Sequence, residues 1–278
     1  MLQIESCGEL GWAKLGYFSG VWWTFEGGVY MGGEEEARVP GVVEFARETL
    51  GFEPDERQAE VLASEAKRGI LNSTRQWGKS TVAGIKAIHR ALTRAESLVV
   101  VASPTERQSA EFVRKTGGMA ARMGIRPRGD GKNSTSLLLP NGSRIVGLPG
   151  TERTIRGFSA VSLLVIDEAA RVEDEMYKAL RPMLAVGEGD LWLLSTPRGK
   201  TGFFYENWAH GGDGWERSTV RATDCPRISA KFLEEERKQL GDAWFRQEYL
   251  CEFVDDERRL IDPDLVMEAM TDLEPYRF

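Results

Sequence analysis

The chain has 278 residues, a formal net charge of −7 at pH 7, 41% hydrophobic and 28% charged residues, which suits one large domain, or one domain with a small appendage, able to bury an apolar core. No apolar run approaches the roughly 20 residues of a membrane span, and the opening "MLQIESCGELGWAKLG" does not read as a secretion signal. Cys7, Cys225 and Cys251 are scattered as in a reducing cytoplasm, His89 and His210 are too few for a His-rich zinc site or a Ser-His-Asp array, and the acidic balance argues against a static coat on nucleic acid.

In chain order, residues 1–38 are rich in Gly and Trp ("FSGVWWTFEGGVYMGGEEEA"), keep no steady period, and read as an appendage of unknown role. Pro40 stands where a helix begins, and "GVVEFARETLGF" has helical spacing with Gly51 at its end. A short strand from Ile70 to Asn72 enters a loop at Gly78, and a helix from Ser80 to Leu92 follows, with Val82, Ile85, Ile88 and Leu92 on one face. "SLVVVASP", "VSLLVIDEAA" and "DLWLLSTP" have the continuous apolar character of strands covered on both sides in a parallel sheet, with helical stretches between them. Right-handed crossovers then predict a mostly parallel sheet with helices on both faces. "TSLLLPNGSRIVGL" breaks the rhythm, since Asn141-Gly142 between apolar arms signals a hairpin.

Several stretches carry chemistry. In "STRQWGKST", Gly78, Lys79 and Ser80 fill the second half of the phosphate-loop pattern G-x-x-x-x-G-K-[ST] (Walker A), while Ser73 replaces its first glycine. Such a loop cradles phosphates with backbone N–H groups, Lys supplies charge, and Ser or Thr supplies a Mg²⁺ ligand. The strand Leu163–Ile166 runs into Asp167-Glu168. These read either as a metal-holding and a water-polarising acid (Walker B) or as acids decorating a helix start. Ser195-Thr196-Pro197 ends the next strand, as hydroxyls sensing phosphate or as a plain turn. From Arg114 to Arg144 seven basic residues (Arg114, Lys115, Arg122, Arg126, Arg128, Lys132, Arg144) face only Asp130, a solvated surface or a polyanion contact.

Taken together, "GFEPDERQAEVL", "STRQWGKST", "VVASPTERQSAEF", "LLLPNGSRIVGLPG", "IRGFSAVSLLVIDEAA", "LLSTPRGKTGFFYENW" and "FRQEYLCEFVDD" resemble, in order from about Gly51 to Asp256, the ATPase domain of the large terminase subunit of tailed bacteriophages. These motors drive double-stranded DNA into a preformed capsid, and their phosphate loops often deviate at the first glycine. The resemblance implies a P-loop NTPase of ASCE or RecA-like type with a small C-terminal lid or linker subdomain. It implies ATP held by Gln58, which matches the adenine-recognising glutamine, and by the loop Ser73, Thr74, Arg75, Gln76, Trp77, Gly78, Lys79, Ser80 and Thr81. Ser80 and Asp167 match the Mg²⁺ ligands, Glu168 the catalytic acid, and Ser195 and Thr196 the coupling motif. Arg75 matches a loop arginine acting within its own subunit, and Arg156 one that reaches a neighbour's nucleotide.

The expected organisation is an appendage over residues 1–38, an ATPase core over 39–220 and a helical lid or linker over 221–278, without the nuclease domain that follows in full-length family members. Asp255, Asp256, Asp262 and Asp264 are accordingly read as linker charge, and no DNA cutting is expected. The expected partners are double-stranded DNA, portal protein, the small terminase subunit and further copies in a ring, in the cytoplasm of an infected bacterium and with no membrane. Competing readings are a helicase-like ATPase, which usually needs a second similar core, and a nucleotide-binding scaffold without turnover.

Overall fold

The computed structural model describes residues 40–129, 131, 135–148 and 157–254, and the backbone of three short strands before them. Those strands, β1 (Lys14–Phe18), β2 (Val21–Thr24) and β3 (Gly28–Met31), pair as an antiparallel meander. The appendage therefore has a sheet where no steady period was legible. Its strands are only four or five residues long, too short to establish an alternation.

After Pro40 a single turn, α1 (Val42–Glu44), widens over Phe45–Thr49, where Leu50 N donates to Phe45 O across 3.2 Å, and the helix stops before Gly51 at φ +60°. Helix α2 (Glu56–Ala63) starts on a capping box: Asp55 accepts from Gln58 N, and the Gln58 side chain accepts from Asp55 N. There follow β4 (Arg68–Ser73), α3 (Lys79–Thr93), β5 (Leu98–Ala102), α4 (Glu106–Arg122), β6 (Ser136–Leu138), β7 (Arg144–Leu148) and β8 (Val161–Asp167). The chain continues through α5 (Asp174–Leu180), β9 (Asp190–Ser195), α6 (Gly202–His210), β10 (Glu216–Val220), α7 (Ala230–Leu240) and α8 (Asp242–Leu250). Strand β4 is longer at both ends than the apolar run Ile70–Asn72, because Arg68 and Gly69 pair with β9 and Ser73 with β10.

The seven strands lie in the order β10-β4-β9-β8-β5-β7-β6. Every neighbour is parallel except β6 against β7, the hairpin turned by Asn141-Gly142 with Gly142 at φ +80°. Strand periodicity sorts alternate side chains into two cores. Leu71, Val99, Val101, Leu163, Val165, Trp192 and Leu194 meet α2, α3 and α4 on one face. Ile70, Val100, Ala102, Leu164, Ile166, Leu191 and Leu193 meet α5 and α6 on the other. A third, small cluster of Ala222, Leu233 and Phe245 joins α7 and α8 beyond β10.

The helical layer is tied to the sheet by one buried cation. Lys86 Nζ donates to Val61 O, Leu62 O and Ser64 O at 3.0, 3.1 and 2.8 Å, closing the C-terminus of α2, and lies 4.5 Å from the Trp192 ring centroid. Burial, aided by Arg90, pulls its ammonium pKa down to about 8, which leaves it charged at neutral pH. Trp192 lies over Gly69, where a Cβ would come within 2.6 Å of the indole. Replacing Lys86 with Met keeps the stem but strands three carbonyls, so Lys86→Met should cost on the order of 2 kcal/mol. The expected readout is a lower urea midpoint at unchanged slope; an unchanged midpoint would mean water satisfies those carbonyls.

Candidate nucleotide-binding site

The site forms where β4 turns into α3. The turn needs left-handed backbone at Gln76 (φ +64°) and Gly78 (φ +103°), and Gly78 caps α3. A Cβ at Gly78 would also approach Gln58 Nε2 to 3.2 Å, a tight contact added to the left-handed angle that favours glycine there. Ser73 and Thr74 are fully buried, and Thr74 N donates to Val220 O at 2.9 Å. The Trp77 ring is sunk in the core at 1% exposure, a wedge beneath the loop, so the expectation that Trp77 meets nucleotide narrows to its backbone. The first N–H groups of α3 at Lys79 and Ser80 then stand at a helix N-terminus, the natural seat of an anion, while Thr81 N donates to Gly78 O at 2.9 Å.

Across the sheet, β9 separates β4 from β8, and all three parallel strands end on the same side. Ser80 Oγ donates to Asp167 Oδ2 at 2.9 Å, and Lys79 Nζ lies 3.1 Å from Glu168 Oε1. Glu168 sits in left-handed backbone at φ +53°, which turns it away from the strand direction of Asp167. Ser195 Oγ accepts from Ala170 N at 3.2 Å, and both Ser195 and Thr196 are fully buried. The loop, the two acids and the two hydroxyls thus converge on one edge.

Three site residues carried no assignment in the sequence reading. Arg171 Nη1 donates to Glu168 Oε2 at 3.0 Å and to Thr196 Oγ1 at 2.9 Å, and its Nη2 donates to Glu248 Oε1 at 3.1 Å. Glu248, on α8 and 2% exposed, also pairs with Arg75 Nε at 2.7 Å through Oε2. Arg75 is therefore held by α8 here, and Thr74 Oγ1 donates to Glu248 O at 3.1 Å beside it. Arg227, between β10 and α7, donates from Nη2 to Trp77 O at 2.7 Å. Arg171 stands three residues after Glu168, a spacing that brings the pair together; only burial identifies Glu248, and Arg227 reveals itself only through the fold.

Gln58 is placed against the loop, but its amide is committed to the chain: Nε2 donates to Trp77 O at 2.9 Å, and Oε1 accepts from Asp55 N at 3.0 Å. It is 2% exposed, not the surface helix residue that its polarity suggests. Arg156, Asp255, Asp256, Asp262 and Asp264 lie outside the described residues. Of the basic stretch, Arg114, Lys115, Arg122, Arg126 and Arg128 are exposed on α4 and the segment after it, with Arg114 paired to Glu111 at 2.7 Å; Lys132 and Asp130 lie outside the described residues.

No cluster of three or more His, Cys, Asp or Glu suited to a metal occurs among the described residues. The Ser80 hydroxyl beside a single carboxylate fits Mg²⁺, which takes few protein ligands and completes its octahedron with water and phosphate oxygens. Asp167 is 7% exposed, and burial, with Glu168 adding, raises its carboxyl pKa, while Lys79 and the Ser80 hydroxyl pull the other way. The sign follows from linkage: with the folded pKa above the unfolded value of about 4, ionised Asp167 costs stability increasingly as pH rises through the folded pKa, and costs nothing below both. Asp167→Asn should therefore melt higher than the parent at neutral pH without metal, and the gap should close below about pH 4. A variant that melts lower at pH 7 would contradict this.

The family described as "Terminase large subunit, T4likevirus-type, N-terminal" matches the chain over residues 70–265. The terminase large subunit of Thermus virus P23-45 is 29% identical over 243 residues, 74% of this chain and 50% of the relative, so the chain spans about half the length of that relative. Among solved structures, the large terminase ATPase domain of Thermus phage P74-26 superposes with a TM-score of 0.65 at 25% identity, covering 75% of this chain and 97% of that one. The large terminase of another thermophilic bacteriophage, in complex with ADP, superposes at 0.62 with 16% identity over 72% of this chain and 53% of that one, and shows likeness of fold.

Proposed function

The chain belongs to the family of the N-terminal part of the T4likevirus-type terminase large subunit, and from that premise we propose that it hydrolyses ATP with Mg²⁺ to drive double-stranded viral DNA into a procapsid. The observation that supports this reading best is the meeting of Lys79 and Ser80, on the first turn of α3, with Glu168 and Asp167 at the end of β8. In the proposed site, the helix N-terminus and Lys79 bind the terminal phosphates, Gln58 reads the base, and Glu168 orients the attacking water. Mg²⁺ would be held by Ser80 and Asp167, where it neutralises charge on the β- and γ-phosphates. Arg75 reaches a phosphate in its own subunit only by leaving Glu248, and Thr196 receives the state of Glu168 through the Arg171 they share.

Residues 39–220 form the core in this proposal and 221–278 the lid, whose movement against the core does the mechanical work. The exposed bases of α4 and the following segment face DNA phosphates. Arg156 acts on the nucleotide of a neighbouring copy in a ring, and portal protein and the small subunit complete the machine in the infected cell. Among the described residues no helix is long and apolar enough to cross a membrane.

Lys79→Ala should weaken Mg-ATP binding more than about tenfold and abolish phosphate release, whereas Glu168→Gln should bind ATP normally and turn over at least about a hundredfold more slowly. Titration calorimetry paired with a phosphate-release assay separates the two; turnover of Glu168→Gln at the parental rate would remove Glu168 from the chemistry. Reversing Arg122 and Arg126 together to Glu should weaken DNA binding and flatten the slope of log K against log salt by about 2, since each lost phosphate contact removes about 0.9. A parallel shift without change of slope would place the DNA elsewhere.

A further inference from the structure

Arg227 is the point at which the segment leading to α7 touches the loop. Its Nη2 donates to Trp77 O at 2.7 Å and lies 3.3 Å from Asp55 Oδ2. The same Trp77 carbonyl accepts from Gln58 Nε2, and Asp55 caps the helix turn that carries Gln58. Arg227, Asp55, Gln58 and the Trp77 carbonyl thus close a four-membered circuit joining α2, the loop and the start of the lid. Within it, Gln58 is buried with both amide atoms engaged, leaving one N–H and one lone pair for a base edge. Arg227 is the exposed member, with 51% of its side chain open to solvent beside that amide.

We propose that Arg227 is a base-sensing residue: its guanidinium plane lies against the face of the adenine whose edge Gln58 reads, and so reports base occupancy to α7 and α8. This rests on the nucleotide-site reading above. A guanidinium is planar and weakly hydrated, and stacks on aromatic faces as an ammonium does not. A glutamine with half its capacity spent discriminates poorly alone, and a second contact on the ring face supplies what the edge lacks. Because Arg227 also holds the loop carbonyl two residues before Lys79, its displacement by a base acts on the phosphate loop and on the lid at once.

The test compares Mg-ATP with inorganic tripolyphosphate, which has the phosphates and no base, by titration calorimetry on the parent, Arg227→Ala and Arg227→Lys. Arg227→Ala should lose about tenfold for ATP and less than about twofold for tripolyphosphate. Lysine keeps a donor for Trp77 O and the Asp55 pair, so Arg227→Lys should fold and bind tripolyphosphate as the parent does while still losing ATP. Equal losses for both ligands, or full rescue of ATP by lysine, would reduce Arg227 to a brace of the loop and overturn the proposal. Unaltered ATP binding in both variants would overturn it as well. If the parent binds neither ligand, the nucleotide-site reading itself fails; if it binds both and only the base-specific loss is missing, the failure belongs to Arg227 alone.

Discussion

Charged side chains at the head of the sheet neutralise one another, and five of them do so in a ring that begins and ends in the same loop: buried Lys79 and Glu248, partly buried Glu168 and Arg171, and exposed Arg75. Lys79 is 8% and Glu248 2% exposed, so neither can fall back on water. Removing one member of a buried pair typically costs about 3 to 5 kcal/mol because its partner is left uncompensated. The ring therefore requires β8, α8 and the β4–α3 turn to be docked together, and each element depends on the other two.

The sheet order makes such a ring possible. With β9 inserted between β4 and β8, the loop and the acids stand a strand apart, and Ser80 and Asp167 span the gap in hydrogen-bond contact. The inserted strand ends in Ser195 and Thr196, which touch the neighbours of the acids: Ser195 holds the backbone of Ala170, and Thr196 shares Arg171 Nη1 with Glu168. Through Arg171, Thr196 is linked both to Glu168 and to Glu248 on α8.

Helix α8 is fastened by main-chain as well as charged contacts: Asn72 Nδ2 donates to Cys251 O at 2.8 Å, Thr74 Oγ1 to Glu248 O, and the Cys251 thiol to Val220 O at 3.2 Å. Burial drives the thiol pKa up to about 12, so Cys251 is an inert donor and not a reactive group. By contrast, the α7–α8 pair has only a small apolar cluster of its own, with Phe232, Leu240 and Trp244 partly open to solvent.

What the sequence determined by itself is what short-range chemistry encodes. Continuous apolar strands imply burial on both faces, Asn141-Gly142 implies a turn, and Gly78-Lys79-Ser80 implies a helix start; the family resemblance rests on the order of such pieces. The sequence could not show that Trp77 points inward, that Gln58 spends its amide on the loop, or that Arg75 turns to α8, because each depends on a partner distant in sequence: the core cluster that Trp77 joins, the Trp77 carbonyl, and Glu248. The N-terminal strands escaped for the opposite reason, being too short to carry a period although their pairing is local. Nothing in the sequence separates Glu248 and Arg227 from the other charges around them. Only tertiary structure, by removing water from one and setting the other against a loop carbonyl, decided that both belong to the site, since the cost of an unpaired charge exists only once the fold has excluded solvent.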